Sequence, residues 1–315
     1  MPQLDPFEGL TVAVVIPCYN EAPTIAAVVA DFRAALPGAT IWVFDNNSKD
    51  GTADIAARAG ARVVRERRQG KGNVVRRMFA DVDADIYVMA DGDGTYDAAE
   101  APRLIRTLID EQADMVVATR RGVHEDAGRS GHAFGNRVFN VLYARAFGND
   151  FSDIFSGYRA FTRRFAKSFP ATSTGFEIET EMSVHASQLK MPVAEIELDY
   201  GRRPEGSHSK LSTFKDGFRI LMMIAMLLKE TRPAAFFGLL SGLFGLASLI
   251  LAAPIVGTFL DTGLVPRLPT AVLAMGLMLV AFLFTACGLI LDSVARGRVE
   301  QKRILYLAQA PLAVQ

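Results

Sequence analysis

Asp91-Gly92-Asp93-Gly94-Thr95 places two carboxylates two residues apart, directly after the apolar run Ile86–Ala90. At a strand end such a pair can face one divalent cation that also bridges diphosphate oxygens. Hard cations such as Mg2+ and Mn2+ take oxygen ligands and share them with substrate phosphates. A polar Asp-Gly turn is the alternative for the same residues, and the far-end Glu of a calcium-binding EF-hand loop is missing. Two further polar runs keep it company: Pro17-Cys18-Tyr19-Asn20-Glu21, and Asp45 to Thr52 with the sequence DNNSKDGT. Asp45 can accept hydrogen bonds from a base or ribose, and Tyr19 can supply an aromatic face. The second run also reads as an N-capped turn, with Asp50 or Thr52 as the cap. Gly70-Lys71-Gly72 precedes a helical stretch, where flexible backbone and a cation suit phosphate, though it lacks the full P-loop pattern. No Gly-x-Gly-x-x-Gly follows the first apolar run, which counts against a dinucleotide-binding dehydrogenase.

The elements that must position these loops alternate in kind. Apolar runs at Thr11–Ile16, Thr40–Phe44, Ala61–Val64, Asp85–Ala90 and Asp114–Ala118 read as strands. Helical spacing occupies Pro23–Leu36, Thr52–Ala59, Asn73–Ala80 and Ala98–Glu111. Strands separated by helices predict an α/β fold, a mostly parallel sheet with helices on both faces. Ligands bind outside the carboxyl ends of such strands, and the three polar runs fall at those ends. From about Gly131 the pattern shifts to helices with one more strand, Val193–Tyr200, and then a basic loop, GRRPEGSHSK, at 201–210. The histidines, His124, His132, His185 and His208, have no metal-ligand spacing and are read as non-catalytic.

The 315 residues carry no net charge, so a general nucleic-acid binder is not expected. Half of the residues are hydrophobic, and the excess is concentrated late in the chain. Ala234–Leu260 runs for 27 residues without a charge and Leu268–Leu291 for 24, where a membrane span needs about 20. Two buried core helices are the alternative, weakened because neither stretch has a polar face. Lys229 and Arg232 precede the first span, and Arg296, Arg298, Lys302 and Arg303 follow the second. Basic flanks at the open ends of a hairpin predict both ends in the cytoplasm. Ser212–Glu230 reads as an amphipathic helix, interfacial or core. The N-terminus has no basic and apolar leader, so no cleaved signal peptide is expected. The expected division is a catalytic domain at 1–210, a juxtamembrane helix at 211–231, a transmembrane hairpin at 232–294 (spans about 234–260 and 268–291) and a cytosolic tail at 295–315. Cys18 and Cys287 make neither a metal pair nor an expected disulfide.

Seven motifs in order resemble the GT-A fold family 2 glycosyltransferases: PCYNE at 17–21, DNNSKDGT at 45–52, QGKGN at 69–73, DGDGT at 91–95, SGYRAF at 156–161, GFEIETEM at 175–182 and RRPEGSHSKL at 202–211. The resemblance covers roughly residues 10–230 and is closest to the dolichol- or polyprenyl-phosphate hexosyltransferase branch, which includes the dolichol-phosphate mannosyltransferases. It implies an enzyme that moves a hexose or N-acetylhexosamine from UDP- or GDP-sugar to polyprenyl phosphate, with inversion, at the cytosolic face of the cell membrane. Carried over by position, nucleotide contacts fall on Pro17, Tyr19, Glu21, Val43, Asp45, Asp91, Gly92 and Arg120, with Lys71 added as a phosphate cation. The metal, Mg2+ or Mn2+, falls to Asp93 and Thr95, with Asp91 beside them. Arg203 and Lys210 fall near the diphosphate and the acceptor phosphate. Arg202 is the alternative to Arg203, since the basic loop is one residue longer than in the family. Arg129 and Arg137 are candidates for gripping the acceptor phosphate. Asp153 and Glu177 could serve as a base or bind sugar hydroxyls, or could instead be polar structural residues anchoring Arg159 or a helix start. Two further departures are Asn46, where the family often has a second acid, and Thr95, where it commonly has Gln. The expected partners are the nucleotide-sugar donor, the lipid-phosphate acceptor and the bilayer, with a homo-oligomer left open.

Competing readings are a processive polysaccharide synthase and a non-catalytic sugar-nucleotide-binding membrane scaffold. The first carries a Gln-x-x-Arg-Trp acceptor motif, and the one Trp here is Trp42. Retention of Asp91, Asp93 and Lys210 together argues against the second.

Overall fold

The computed structural model describes residues 7, 9–121, 151–175, 177–199, 225, 226 and 228–312. Two compact units divide the chain, one of Met1–Phe214 with Gln301–Gln315 and the other of Lys215–Glu300.

The first unit is built on a seven-stranded sheet among the described residues. Its elements run β1 (Val12–Cys18), α1 (Ile25–Ala35), β2 (Thr40–Asp45), α2 (Thr52–Arg58), β3 (Arg62–Arg65), α3 (Lys71–Asp81), β4 (Ile86–Met89), α4 (Ala101–Asp110), β5 (Met115–Arg121), β6 (Arg159–Thr162), α5 (Arg163–Ser168), α6 (Ile178–Leu189) and β7 (Val193–Asp199). Every residue of β1 and of β4 is buried, as expected of central strands covered on both faces. The helices cover them with one stripe each: α1 buries Ile25, Val28, Val29 and Phe32, and α4 buries Ala101, Leu104, Ile105 and Leu108.

The strand order is β3-β2-β1-β4-β6-β5-β7. Only β6 runs antiparallel to its neighbours, β4 and β5, and the other pairs are parallel. The order reverses between β1 and β4, so a topological switch point opens at their carboxyl ends.

β6 is absent from the sequence pattern, which places a single strand after Gly131. Its four residues, RAFT, are all buried, and a charge at Arg159 hides the apolar run. Arg159 is fully buried. Its Nε donates to Ser156 O at 2.8 Å, Nη2 to Ile154 O at 2.8 Å and Nη1 to Ser183 Oγ at 3.0 Å. A guanidinium with its donors so used can sit inside a sheet.

Residues 301–312 belong to this first unit rather than hanging free as a tail. Asp114 is fully buried and is anchored by three side chains. Thr162 Oγ1 and Arg164 Nε donate to Oδ1 at 2.8 and 2.6 Å, and Tyr306 OH donates to Oδ2 at 2.7 Å. Arg164 also lies over the Tyr306 ring, 4.9 Å from its centroid. Lys302 donates to Gln188 Oε1 at 3.2 Å, and Leu312 packs against the core. A cavity of about 250 Å3 between these last residues and Asp85, Thr162 and Arg163 borders the amino end of β4, opposite the switch point. Tyr306→Phe removes one hydrogen bond to a buried carboxylate, worth about 2 kcal/mol. A fall in the thermal midpoint of the solubilised protein is expected. A midpoint equal to the wild type's would show that the tail contributes nothing there.

His185, read from the sequence as non-catalytic, is a fully buried core residue. Its Nε2 lies 3.1 Å from Ser168 Oγ between Phe165 and Phe169. Burial, with a smaller push from Lys302, depresses its pKa to about 3, so it stays neutral at ordinary pH.

The second unit contains α7 (Pro233–Thr262) and most of α8 (Leu268–Leu307). Both are long and apolar enough to cross a membrane, and their most apolar windows are only 6% and 17% buried. A soluble core helix would bury that surface, so the core-helix alternative loses its support. The helices meet through small residues. Ala274, Ala281 and Gly288, spaced by seven, are buried on α8. Ser248 Oγ donates to Ala274 O at 2.6 Å and Ser241 Oγ to Ala281 O at 2.9 Å. Close approach and interhelical hydrogen bonds of this kind join helices in lipid. Of the juxtamembrane helix, only residues 225, 226 and 228–231 are described, and they are helical.

Candidate active site

The parallel register sets Cys18 beside Asp45, and Val15 beside Met89 one strand over. The loops after β1, β2 and β4 therefore leave one edge of the sheet together. Side chains tie the first two loops to each other. Asn20 N donates to Ser48 Oγ at 2.9 Å, Lys49 N to Asn20 Oδ1 at 2.9 Å, Glu21 N to Thr52 Oγ1 at 2.9 Å and Ala22 N to Asp50 Oδ2 at 3.0 Å. Asp50 also accepts from Thr52 N at 3.1 Å, but the cap position of α2 falls on Gly51 and has no side-chain cap, so neither Asp50 nor Thr52 is the expected N-cap. Burial pushes the Asp50 carboxyl up, but hydrogen bonds from the Thr52 hydroxyl and from the Ala22 and Thr52 amides outweigh it. The group is held below the ordinary carboxylate range. Asn20 and Asn47 adopt positive φ, 56° and 65°, a conformation Asn tolerates better than most residues.

Asn46 has a physical reason for not being an acid. It is buried, with Nδ2 donating to Glu66 O at 3.0 Å and Arg68 O at 2.8 Å, while Oδ1 accepts from Gly70 N at 2.7 Å. A carboxylate could not donate the first two. Asp45 beside it is 3% exposed, and its Oδ1 has no hydrogen-bond partner among the described residues. An orphaned buried carboxylate oxygen is costly and calls for a ligand donor.

The loop after β4 is braced from within. Asp93 Oδ1 accepts from Thr95 Oγ1 at 2.6 Å and Thr95 N at 3.2 Å, and both residues are buried. The geometry thus gives Thr95 the task of orienting Asp93. Gly92 O accepts from Thr24 Oγ1 at 2.6 Å, which fastens the loop to the start of α1. Burial first, and then the charges of Glu21, Asp45, Asp91 and Asp93, push the Cys18 thiol well above its ordinary value. Each of those four carboxylates therefore lies within electrostatic reach of the end of β1. Among the described residues no three or more His, Cys, Asp or Glu converge as a complete metal set. The donors fit Mg2+ or Mn2+ in the form those ions take with substrate: one or two carboxylates completed by phosphate oxygens.

Lys71 is placed differently from a free phosphate cation. Its Nζ lies 2.5 Å from Asp91 Oδ1 and 2.5 Å from Glu179 Oε1, with the Lys71 side chain 10% exposed. Burial works to lower its pKa, but Asp91 and Glu179 outweigh that and raise it, so it is a fixed ammonium. The flanking glycines serve packing. A Cβ on Gly72 would sit 2.0 Å from Ser173 O, and one on Gly70 would sit 2.1 Å from Thr174 O. Gly72 N donates to Thr174 O at 3.2 Å, and Gly70 N is held by Asn46, so both amides already have acceptors. Glu181 fixes the facing loop through Ser173 N at 2.8 Å and Thr172 N at 2.9 Å.

The remaining candidates fall out as follows. Tyr19 is 37% exposed at the loop edge, and Glu21 is half-buried beside it. Pro17 and Val43 are buried within the strands. Val43 is fully buried in the core, so as placed it offers a nucleotide no surface. Arg120 lies in β5, and its side chain is outside the described residues. Asp153 Oδ1 accepts from Phe155 N at 3.1 Å. Glu177 precedes α6 and folds back on Gly175, where its Oε2 would lie 2.5 Å from an added Cβ. Arg129, Arg137, Arg202, Arg203 and Lys210 are outside the described residues. Sequence reasoning missed Glu179, although it lies in the GFEIETEM motif.

Residues 13–169 match the family model for glycosyl transferase family 2. The chain is 38% identical over 229 residues to glycosyltransferase AglJ of Haloferax volcanii, covering 72% of this chain and 75% of that one. It is 28% identical over 221 residues to the dolichyl-phosphate hexose transferase of the same organism, covering 70% of this chain and 95% of that one. Glucosyl-3-phosphoglycerate synthase from Mycobacterium tuberculosis, solved with Mn2+, uridine diphosphate and glucosyl-3-phosphoglycerate, superposes with a TM-score of 0.58 at 25% identity. That match covers 70% of this chain and 80% of the synthase. The protein belongs to glycosyl transferase family 2, and its first unit has the GT-A arrangement expected from the motifs.

Proposed function

We propose that this glycosyltransferase moves a hexose or N-acetylhexosamine from a UDP- or GDP-sugar to a polyprenyl phosphate at the cytosolic face of the cell membrane, with inversion. The observation that carries the donor half is the buried, unpartnered oxygen of Asp45, in a loop that leaves the switch point beside the loop of Asp91 and Asp93. The acceptor half is supported by two helices fit to cross a bilayer and by the similarity to a dolichyl-phosphate hexose transferase.

In this reading Tyr19, Glu21 and Asp45 receive the base and ribose, with backbone at Pro17, Asp91 and Gly92 and the Arg120 side chain closing around the nucleotide. Asp93, braced by Thr95 and flanked by Asp91, would hold Mg2+ or Mn2+ against the diphosphate. When bound, that cation neutralises charge on the departing nucleoside diphosphate. An oxygen of the acceptor phosphate attacks the anomeric carbon, and the bond from that carbon to the diphosphate oxygen breaks. The acceptor is already anionic, so no proton has to be removed and neither Asp153 nor Glu177 is required as a base. The protein's contribution is in-line positioning and charge stabilisation.

Lys210, with Arg203 or Arg202 and with Arg129 and Arg137, would face the acceptor phosphate near the membrane surface. Lys210→Ala is expected to lower transfer to polyprenyl phosphate by about tenfold or more, the scale of one charge-assisted contact, while calorimetry shows donor binding unchanged. The assay uses solubilised full-length protein, Mn2+ and a panel of UDP- and GDP-sugars, which also identifies the donor. Wild-type transfer kinetics in Lys210→Ala would remove the basic loop from the acceptor site.

A further inference from the structure

Glu179 reaches the donor site from an element that the family reading leaves unassigned. It projects from α6 to Lys71 at 2.5 Å, and Lys71 reaches Asp91 at 2.5 Å from the other side. The side chains of Glu179, Lys71 and Asp91 are 6%, 10% and 29% exposed, so water screens this chain of charges poorly. An ammonium has three donors, and two of them are divided here between carboxylates on different elements. Without Glu179, Lys71 would be a lone cation at Asp91 and would cancel its charge. With Glu179, the three groups together retain one negative charge. Asp91 then presents its outer oxygen, Oδ2, toward Gly157, where an added Cβ would come within 2.9 Å.

We propose that Glu179 is a positioning residue that acts through Lys71, offsetting the ammonium so that the Asp91–Thr95 loop stays negative enough to take a divalent cation. Resting on the reading of that loop as a metal and diphosphate site, the inference adds the source of its charge balance. The residue type follows from the task. A neutral partner for Lys71 would orient it equally well but would leave the cation to face a neutralised Asp91.

The test measures Mn2+ binding to solubilised full-length protein by loss of the free-ion electron paramagnetic resonance signal, with Mn2+ alone and with UDP or GDP in separate arms. Glu179→Gln keeps the shape and removes the charge, and is expected to weaken Mn2+ binding by about tenfold, one pKa-unit equivalent of charge interaction. The double variant Lys71→Met/Glu179→Gln restores the net charge of the group and is expected to recover most of the affinity. It also serves if the single variant folds poorly, because it leaves no buried ammonium half-paired. Glu179→Gln binding Mn2+ like the wild type, or a double variant no better than the single one, would overturn the proposal. Asp93→Asn separates this from the underlying reading. If Asp93→Asn loses Mn2+ while Glu179→Gln keeps it, Glu179 alone has been misassigned. If Asp93→Asn binds Mn2+ normally, the metal site itself is elsewhere.

Discussion

Asp93→Asn is expected to lower sugar transfer by orders of magnitude while leaving the far-ultraviolet circular dichroism unchanged. Asp93 is buried at the end of a fully buried strand, and its Oδ1 is held by both the amide and the hydroxyl of Thr95. Asn keeps the size and can still accept from Thr95 through its carbonyl oxygen, so the turn survives. What it loses is the charge that holds a divalent cation. The departing diphosphate gains negative charge as the bond to the sugar breaks, so a cation there stabilises the transition state more than the ground state. Such stabilisation is worth several kcal/mol, and about 1.4 kcal/mol is tenfold in rate. Chelation of the wild type with EDTA is expected to produce a comparable loss, reversed by Mn2+ or Mg2+. Full transfer in excess EDTA would end the metal mechanism.

Where the sequence was informative and where it was not follows from the range of the interactions. The strands at Thr11–Ile16 and Asp85–Ala90 were legible because a strand buried on both faces needs a continuous apolar run, and β1 and β4 lie within a residue or two of those limits. The polar loops were legible because parallel strands deliver their carboxyl ends to one edge. β6 was hidden by Arg159, whose burial depends on acceptors at Ile154, Ser156 and Ser183 that no local pattern announces. The Gly-Lys-Gly turn was legible as a tight place but not for its reason. Its glycines are required by backbone oxygens about 100 residues downstream, at Ser173 and Thr174. The same distance in sequence concealed Glu179. The docking of Tyr306 onto Asp114 joins residues 192 apart, so the last turns of α8 read as a tail when they are part of the catalytic unit. A cut after Glu230 would remove that strut along with the hairpin.

The second large effect is expected at Gly92, from a steric cause rather than a charge. A Cβ there would stand 2.5 Å from Cys18 Sγ, 3.5 Å from Ile16 Cγ2 and 3.6 Å from Ile25 Cδ1. Cys18 is 3% exposed and its backbone is paired with Asp45, so burial leaves the sulfur little room to turn aside. Gly92→Ala must therefore push the loop outward. Asp91 and Asp93 flank the displaced residue, and their contacts to Lys71 and Thr95, at 2.5 and 2.6 Å, leave no slack. Overpacking of this kind costs about 1–3 kcal/mol of stability. Binding of Mn2+ with UDP or GDP is expected to fall by about tenfold or more, because a shift of an ångström in a positioned group is that costly. Cys18→Ala in the same chain removes the sulfur and is expected to restore most of the binding. It takes no nucleophile away, since burial and the surrounding carboxylates keep the thiol protonated. The measurement is calorimetric titration of the wild type, Gly92→Ala, Cys18→Ala and the double variant with nucleoside diphosphate and Mn2+. Wild-type affinity in Gly92→Ala, or a double variant as weak as Gly92→Ala, would show that the close approach of β1 to this loop does not set the spacing of the two carboxylates.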